Sequence, residues 1–246
     1  MQQGLSELLE QQLDRVAAGL DGLELRDDQR EQLHRVLIGS DFVRDQFVRR
    51  PELLAEIVAT ATEPYRSGQM VERVLSALDG VESEESLMRA LRHLRQRQMV
   101  RIIWRDLNRL ADLHETTLAL SDLADACCAQ ALDWLHEDLK RDFGTPVDEQ
   151  GVEQRLVVIG MGKHGAQELN LSSDIDLIFS FPEHGETEGG RRSLENAEFF
   201  NRLGKRLIKV LDTQTADGFV FRVDMRLRPF GASGPLVASF GAMEHY

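Results

Sequence analysis

The sequence predicts an α+β protein, with an all-helical region over residues 1–145 and a domain over residues 152–246 built on a small mixed sheet with flanking helices. Three observations predict it. Apolar residues recur at helical spacing through the first 145 residues. After residue 151 the period changes, and short apolar runs alternate with loops. A helical stretch over 193–212 then separates two of those runs, the order expected when a helical unit is joined to a mixed one.

Taken in order, Leu5, Leu8, Leu9, Leu13 and Val16 recur at helical spacing. Ser40 is placed to cap a helix over DFVRDQFVRR, and Pro51 suits the first turn of PELLAEIVAT. Ser83, followed by Glu84 and Glu85, opens a long helix that runs on to Leu110. Arg89, Arg92, Arg95, Arg97, Arg101 and Arg105 form a basic streak along it. The plain expectation is a solvated face paired with nearby acids; the sharper one is the wall of a cleft or a docking face for an acidic partner. Ser121 is expected to cap the next helix, through Leu123, Cys127, Ala131, Leu135 and Leu139, until Gly144 and Pro146 stop it. Residues 145–151 then form the expected linker.

In the second region, RLVVIGMG (155–162) and LIFSF (177–181) have the composition of short buried strands. Gly189 and Gly190 close an acidic loop, EHGETEGG. The helix over 193–212 places Phe199, Phe200, Leu203, Leu207 and Leu211 on one side. GFVFRVDMRLRP (218–229) alternates as a strand should: Phe219, Phe221, Val223, Met225 and Leu227 on one face, Val220, Arg222, Asp224, Arg226 and Arg228 on the other.

Composition narrows function. A formal net charge of −13 argues against a general nucleic-acid coat, which needs a basic face, but leaves room for a local basic patch around one nucleotide. No apolar run is long enough to cross a bilayer, and the opening MQQGLSELLEQQLDR is polar and acidic, unlike a secretory signal. Cys127 and Cys128 are adjacent and are the chain's only cysteines, so neither a disulfide framework nor a cysteine zinc site follows, and core filling is expected of them. A reducing, cytoplasmic location without nucleic-acid or membrane partners is the expectation.

The chemistry concentrates in NLSSDIDLIF (170–179). On a strand, Asp174 and Asp176 emerge on one face and repel, so that one carboxyl would hold its proton unless a cation intervenes. Mg²⁺ or Mn²⁺ prefers carboxylate, water and phosphate oxygens, so the spacing suits a metal site that also takes a phosphate. D-x-D alone is common in turns and caps. Three features strengthen it. GMGKHG (160–165) follows a strand directly, and its glycines allow backbone N–H groups to approach an anion, although it is not a Walker loop, since GxxxxGK[ST] is absent, and is not read as a dinucleotide fingerprint. Ser172 and Ser173 can donate to a phosphate or cap the turn. Asp224 is the sole acid on its strand's polar face, between Arg222 and Arg226 with Arg228 beyond, which suits either a third metal ligand beside phosphate-binding cations or an ordinary ladder of ion pairs. Together they fit two-metal phosphoryl or nucleotidyl transfer, with Arg226 steadying the transition state.

GMGKHGAQELNLSSDIDLIFSFPEHGET resembles the nucleotidyltransferase signature of the glutamine synthetase adenylyltransferase/adenylyl-removase family, within the DNA polymerase beta-like superfamily. FRVDMRLRPFGASGPLV resembles that family's third-carboxylate strand, and SDFVRDQFVRRPELL and RQMVRIIWRDL resemble its helical N-terminal region. The resemblance implies that Asp174, Asp176 and Asp224 bind the metal, and that Gly160, Gly162, Ser172 and Ser173, with Lys163, Arg226 and Arg228, take nucleotide and phosphate. ELNLSSDIDLIF is closer to the family's adenylyl-removing copy, which implies phosphorolysis: phosphate attacks the adenylyl group on a tyrosine of glutamine synthetase and releases ADP. Forward adenylylation from ATP is the alternative, and a catalytically inert module docking glutamine synthetase or a nitrogen-signalling protein is a third reading. His164, expected to be a loop residue and not a ligand, stands where the family pattern is apolar, and Ala166-Gln167 replace a more glycine-rich stretch. Family members are much longer, so the chain is expected to be a fragment whose catalytic domain stops early and lacks the second transferase.

Overall fold

The computed structural model describes residue 16 and residues 24–229 and 231–245. The expected helical positions Leu5, Leu8, Leu9 and Leu13 lie outside the described residues; Val16 is helical and buried. The described helices are α1 (Asp27–Gly39), α2 (Asp41–Arg49), α3 (Glu52–Thr60), α4 (Gln69–Ala77), α5 (Glu84–Leu107), α6 (Leu113–Phe143), α7 (Gly162–Gly165), α8 (Asn196–Asp212) and α9 (Phe240–Glu244). The strands are β1 (Gly144–Pro146), β2 (Val157–Met161), β3 (Ile175–Phe181), β4 (Thr187–Gly189), β5 (Val223–Asp224) and β6 (Val237–Ser239). No helix among the described residues is long and apolar enough to cross a membrane.

The chain packs as two compact units. One takes the described residues up to Ser67 with Leu94–Leu120; the other takes Gly68–His93 and the described residues from Ser121 onward. Packing thus divides the chain by spatial neighbourhood, whereas residues 145–152 mark where helices give way to strands.

In the first unit, Ser40 caps α2 as expected, its Oγ accepting from the Val43 N–H at 3.2 Å. Pro51 sits just ahead of α3, its φ of −58° already helical. Phe47 and Trp104 are fully buried and meet edge to face, with centroids 6.2 Å apart. Each such side chain contributes about 1.5–3 kcal/mol relative to exposure. The basic streak is split: Arg89 and Arg97 are exposed and pair with Glu85 and Glu56, as the plain expectation has it, whereas others are buried. Arg101 and Arg105 are buried, not solvated. Arg101 donates to the carbonyls of Thr60 (2.6 Å) and Glu63 (2.7 Å). Arg105 donates to those of Ala61 and Leu110 and pairs with Glu115. The carbonyls of Thr60, Ala61 and Glu63 lie at and just past the end of α3, and that of Leu110 just past α5, where helix carbonyls lose their partners.

In the second unit, Ser83 caps α5 reciprocally with Ser86, as expected of its N-terminus. Arg92, 1 % exposed, donates to the carbonyls of Met88, Val210, Thr213 and Gly218, closing the C-terminus of α8. The four-stranded sheet is built around β3. On one edge β2 pairs with it antiparallel. On the other, β5 and then β6 pair with it parallel, at its beginning and its end. A central strand is covered on both faces, which explains its unbroken apolar run Leu177–Phe179. Between β3 and β5 runs α8, whose Phe199, Phe200, Leu203, Leu207 and Leu211 are buried as expected. Gly204 lets it approach the sheet: a Cβ there would lie 2.9 Å from the Phe179 ring. Cys127 and Cys128 are buried core residues, and burial pushes the Cys128 thiol well up.

Three sequence expectations are corrected. Ser121 is not a cap: α6 starts at Leu113, capped by Asp112, whose Oδ1 accepts from Glu115 N–H at 2.8 Å. The 145–151 stretch is not all linker, because β1 pairs antiparallel with β4. The 218–229 segment is not one alternating strand. Only Val223 and Asp224 pair with β3, Val220 and Phe221 are both buried with their N–H groups on Leu211 O, and Leu227 is exposed.

Candidate functional site

Asp176 is the second residue of β3, and the parallel register sets it directly beside Asp224 of β5, with Ile175 beside Val223. On the other edge Asp176 pairs with Met161, the last residue of β2. The α7 turn therefore leaves β2 beside the carboxylate. Gly162 opens that turn with a left-handed φ of 56°, and a Cβ there would come within 2.7 Å of Asp176 Oδ2. Only glycine accepts both the conformation and the proximity. Asp174 precedes the strand and is exposed.

Two arginines are drawn onto these acids. Arg222 Nε lies 2.5 Å from Asp174 Oδ1, and its Nη2 donates to Ser172 O at 2.8 Å. Arg226 holds Asp224 with both its guanidinium and its backbone N–H, the latter 2.8 Å from Oδ1. Those bonds, the side-chain one first, hold the Asp224 carboxyl below the usual carboxylate range. Asp224 foremost raises the Arg226 pKa, with Asp176 and Asp174 adding to it. One guanidinium thus feels all three carboxylates.

The remaining expected residues are placed less uniformly. Ser172 and Ser173 gather on Asn170: Ser173 Oγ donates to Asn170 Oδ1 at 2.8 Å, and Ser172 N–H donates to the same oxygen at 3.3 Å. This is the turn-capping alternative. Gly160 lies in β2, and Lys163 is exposed on α7. Arg228, half-buried, donates to Met225 O at 2.7 Å, within its own turn. His164 is not an open loop residue. It is buried in α7, and its Nε2 lies 2.6 Å from Asp125 Oδ1 on α6.

Carboxylate oxygens are the donors Mg²⁺ or Mn²⁺ takes, and the register puts Asp176 beside Asp224 with Asp174 two residues before, so the three aspartates fit such an ion in donor chemistry, with Arg222 and Arg226 paired to two of them. They are not drawn together as tightly as ligands: among the described residues, the three-residue group with all ligand atoms within 4.8 Å is His136, Glu137 and Glu153. That group is already bridged by Lys140, 3.3 Å from Glu137 and 3.2 Å from Glu153, and by Arg155.

The family model for glutamate-ammonia ligase adenylyltransferase matches residues 30–246. The chain belongs to the glutamate-ammonia ligase adenylyltransferase family. Relatives carrying the name "bifunctional glutamine synthetase adenylyltransferase/adenylyl-removing enzyme" include one from Pseudomonas aeruginosa, 54 % identical over 94 % of this chain and 24 % of its own length. One from Thioalkalivibrio sulfidiphilus is 51 % identical, again over 94 % and 24 %. One from Shewanella woodyi is 47 % identical over 91 % and 23 %. The chain therefore spans about a quarter of the length of the curated relatives it matches.

Within this adenylyltransferase-family chain, the sequence suggests a different role for Ser121, a helix cap, and none for Asp125, yet these α6 residues hold His164 of the glycine turn and Leu169 after it. Their spacing of four residues on a helix was the available signal.

Proposed function

We propose that Asp174, Asp176 and Asp224 form the centre of a metal-dependent nucleotidyl-transfer site. We further propose that it removes the adenylyl group from adenylylated glutamine synthetase by phosphorolysis. The observation that carries this reading is the β3–β5 register, which brings Asp224 beside Asp176 although 47 residues separate them in the chain. The names of the relatives, which join adenylyl transfer to adenylyl removal on glutamine synthetase, support the substrate.

In the proposed reaction an oxygen of inorganic phosphate bonds to the adenylyl phosphorus, the bond from that phosphorus to the tyrosine oxygen breaks, and the tyrosine takes up a proton. The products are ADP and unmodified glutamine synthetase. Asp174, Asp176 and Asp224 would hold Mg²⁺ or Mn²⁺, which when bound supplies Lewis-acid neutralisation of phosphate oxygens. Arg222 and Arg226 keep positive charge beside the carboxylates, where two anions must be held in line. Gly162 leaves the space above Asp176 free of a side chain. Lys163 adds an exposed cation on the same turn. The reading places the reaction in the cytoplasm, in line with two free buried thiols, and takes a nitrogen-regulatory signalling protein as a second partner.

Incubating the chain with adenylylated glutamine synthetase, Mg²⁺ and phosphate tests it. ADP release is expected, and Asp176→Asn is expected to lower it a hundredfold or more, on the order of losing a preorganised charge-stabilising group. Adenylylation of unmodified glutamine synthetase from ATP, with no ADP in the first assay, would assign the forward reaction instead. Unchanged turnover in Asp176→Asn would defeat the site.

A further inference from the structure

We infer that Asp125 and Ser121 on α6 are positioning residues that set the glycine turn against Asp176, acting through His164 and the Leu169 backbone, and so fix affinity for the phosphates of ADP. The nucleotide part of this inference rests on the reading above; the positioning part does not.

The turn needs an external anchor. Gly162 cannot carry a side chain and so adds no packing of its own. After α7 the chain closes with three bonds: Ala166 N–H donates to Gly162 O at 3.1 Å, Gln167 N–H to His164 O at 3.0 Å, and Glu168 N–H to Lys163 O at 2.7 Å. The start of the turn is placed by β2, whose Met161 pairs with Asp176. Its far end, from His164 to Leu169, is held from α6. Asp125 Oδ1 lies 2.6 Å from His164 Nε2, and Ser121 Oγ accepts from Leu169 N–H at 3.3 Å. Residues four apart lie on one helix face, so both anchors pull on the 164–169 segment from the same side.

His164 is a costly choice unless the bond to Asp125 has a use. Its Nδ1 is buried without a hydrogen-bond partner, a loss an apolar side chain of that size avoids. Nδ1 instead lies against Gly160, 3.2 Å from where a Cβ on that glycine would stand. The ring is thereby wedged between the end of β2 and α6. It can transmit the position of the helix to the turn at whose start Gly162 meets Asp176 Oδ2.

The test compares the wild-type chain with Asp125→Ala, His164→Leu and His164→Gln. Asp125 is more than half exposed, so its truncation leaves the core intact. Binding of ADP in Mg²⁺ is expected to weaken about tenfold in Asp125→Ala and His164→Leu, as when an outer supporting partner is lost. His164→Gln, which keeps a donor for Asp125, is expected to recover most of that affinity, and melting temperatures should stay together. Wild-type affinity in both weakened variants overturns the inference. Amide hydrogen exchange gives a readout independent of nucleotide: amides over 160–169 should exchange at least several-fold faster in both variants, with β3 unchanged. Unaltered exchange there also overturns it. If the wild-type chain binds no ADP, the proposed function fails, and the exchange data alone decide the positioning role.

Discussion

Gln167 adopts a left-handed backbone, φ 58°, at the position following α7 where glycine is the usual residue. Arg109 does the same after α5, φ 56°, closed by matching bonds from Arg109 N–H to Asp106 O and Leu110 N–H to Arg105 O. A side chain in that conformation costs on the order of 1–2 kcal/mol, partly offset because glycine has more freedom to lose on folding. Gln167→Gly should therefore raise unfolding stability by about 0.5–1 kcal/mol, read as a higher urea midpoint at unchanged slope. A lower midpoint would mean the glutamine side chain makes a compensating contact. These two residues also explain where residue-level reading stops. Gln167 carries no glycine to mark the turn after α7, and the absent glycine at Arg109 lets the long helix read on to Leu110. The aspartate pair was legible because carboxylates beside a buried apolar run demand a partner. The serines were less so, since hydroxyl chemistry serves a turn and a phosphate equally well.

At the scale of elements, the arginines of α5 carry the main lesson. Arg92 serves as a shared cap for carbonyls around the end of α8, whereas Arg89 only pairs with Glu85 on the surface. Replacing Arg92 by Met removes the donors and strands buried carbonyls, so Arg92→Met should cost about 3 kcal/mol, while Arg89→Ala should change stability by less than about 0.5 kcal/mol. Equal effects on the denaturation midpoint would refute the capping role. The sequence cannot distinguish these two, because a guanidinium on a helix has the same spacing whether it meets water or backbone. The same limit affected 218–229. Its alternation was genuine in composition, but the Leu211 carbonyl in the last turn of α8 draws both Val220 and Phe221 inward, leaving two residues to pair with β3. The strands β2 and β3 were legible because their apolar runs have no other use. The start of α6 was missed because Asp112, its cap, follows closely on α5 and Ser121 offered a stronger-looking cap within the helix.

For the whole molecule, the arrangement of the mixed unit follows from one crossover: α8 carries the chain from β3 back to a parallel β5, and this makes a site from distant carboxylates. The same unit buries a histidine, and that gives a pH dependence. His136 is 2 % exposed and meets Phe199 edge on, 5.5 Å between centroids. Burial first, then Arg155 nearby, lowers its pKa below the ordinary 6.5, although Glu153 partly opposes this. In the unfolded chain the imidazole titrates near its ordinary value. Below about pH 6.5 the unfolded state therefore binds a proton that the folded state does not, and stability falls with falling pH until the folded pKa is reached. The slope from this one group is at most about 1.4 kcal/mol per pH unit. Above pH 6.5 both states are neutral at His136 and its contribution is constant. Glu84 titrates lower: burial raises its pKa, but Lys209 and Arg206 outweigh that and leave it below 4.5, so its contribution is lost only as pH drops further. A series of urea midpoints from pH 7.5 to 5.5 separates the two. The wild-type chain should lose stability across that window, and His136→Gln should flatten the loss while lowering stability at pH 7.5. A variant that follows the wild-type slope would assign the acid sensitivity to groups other than His136.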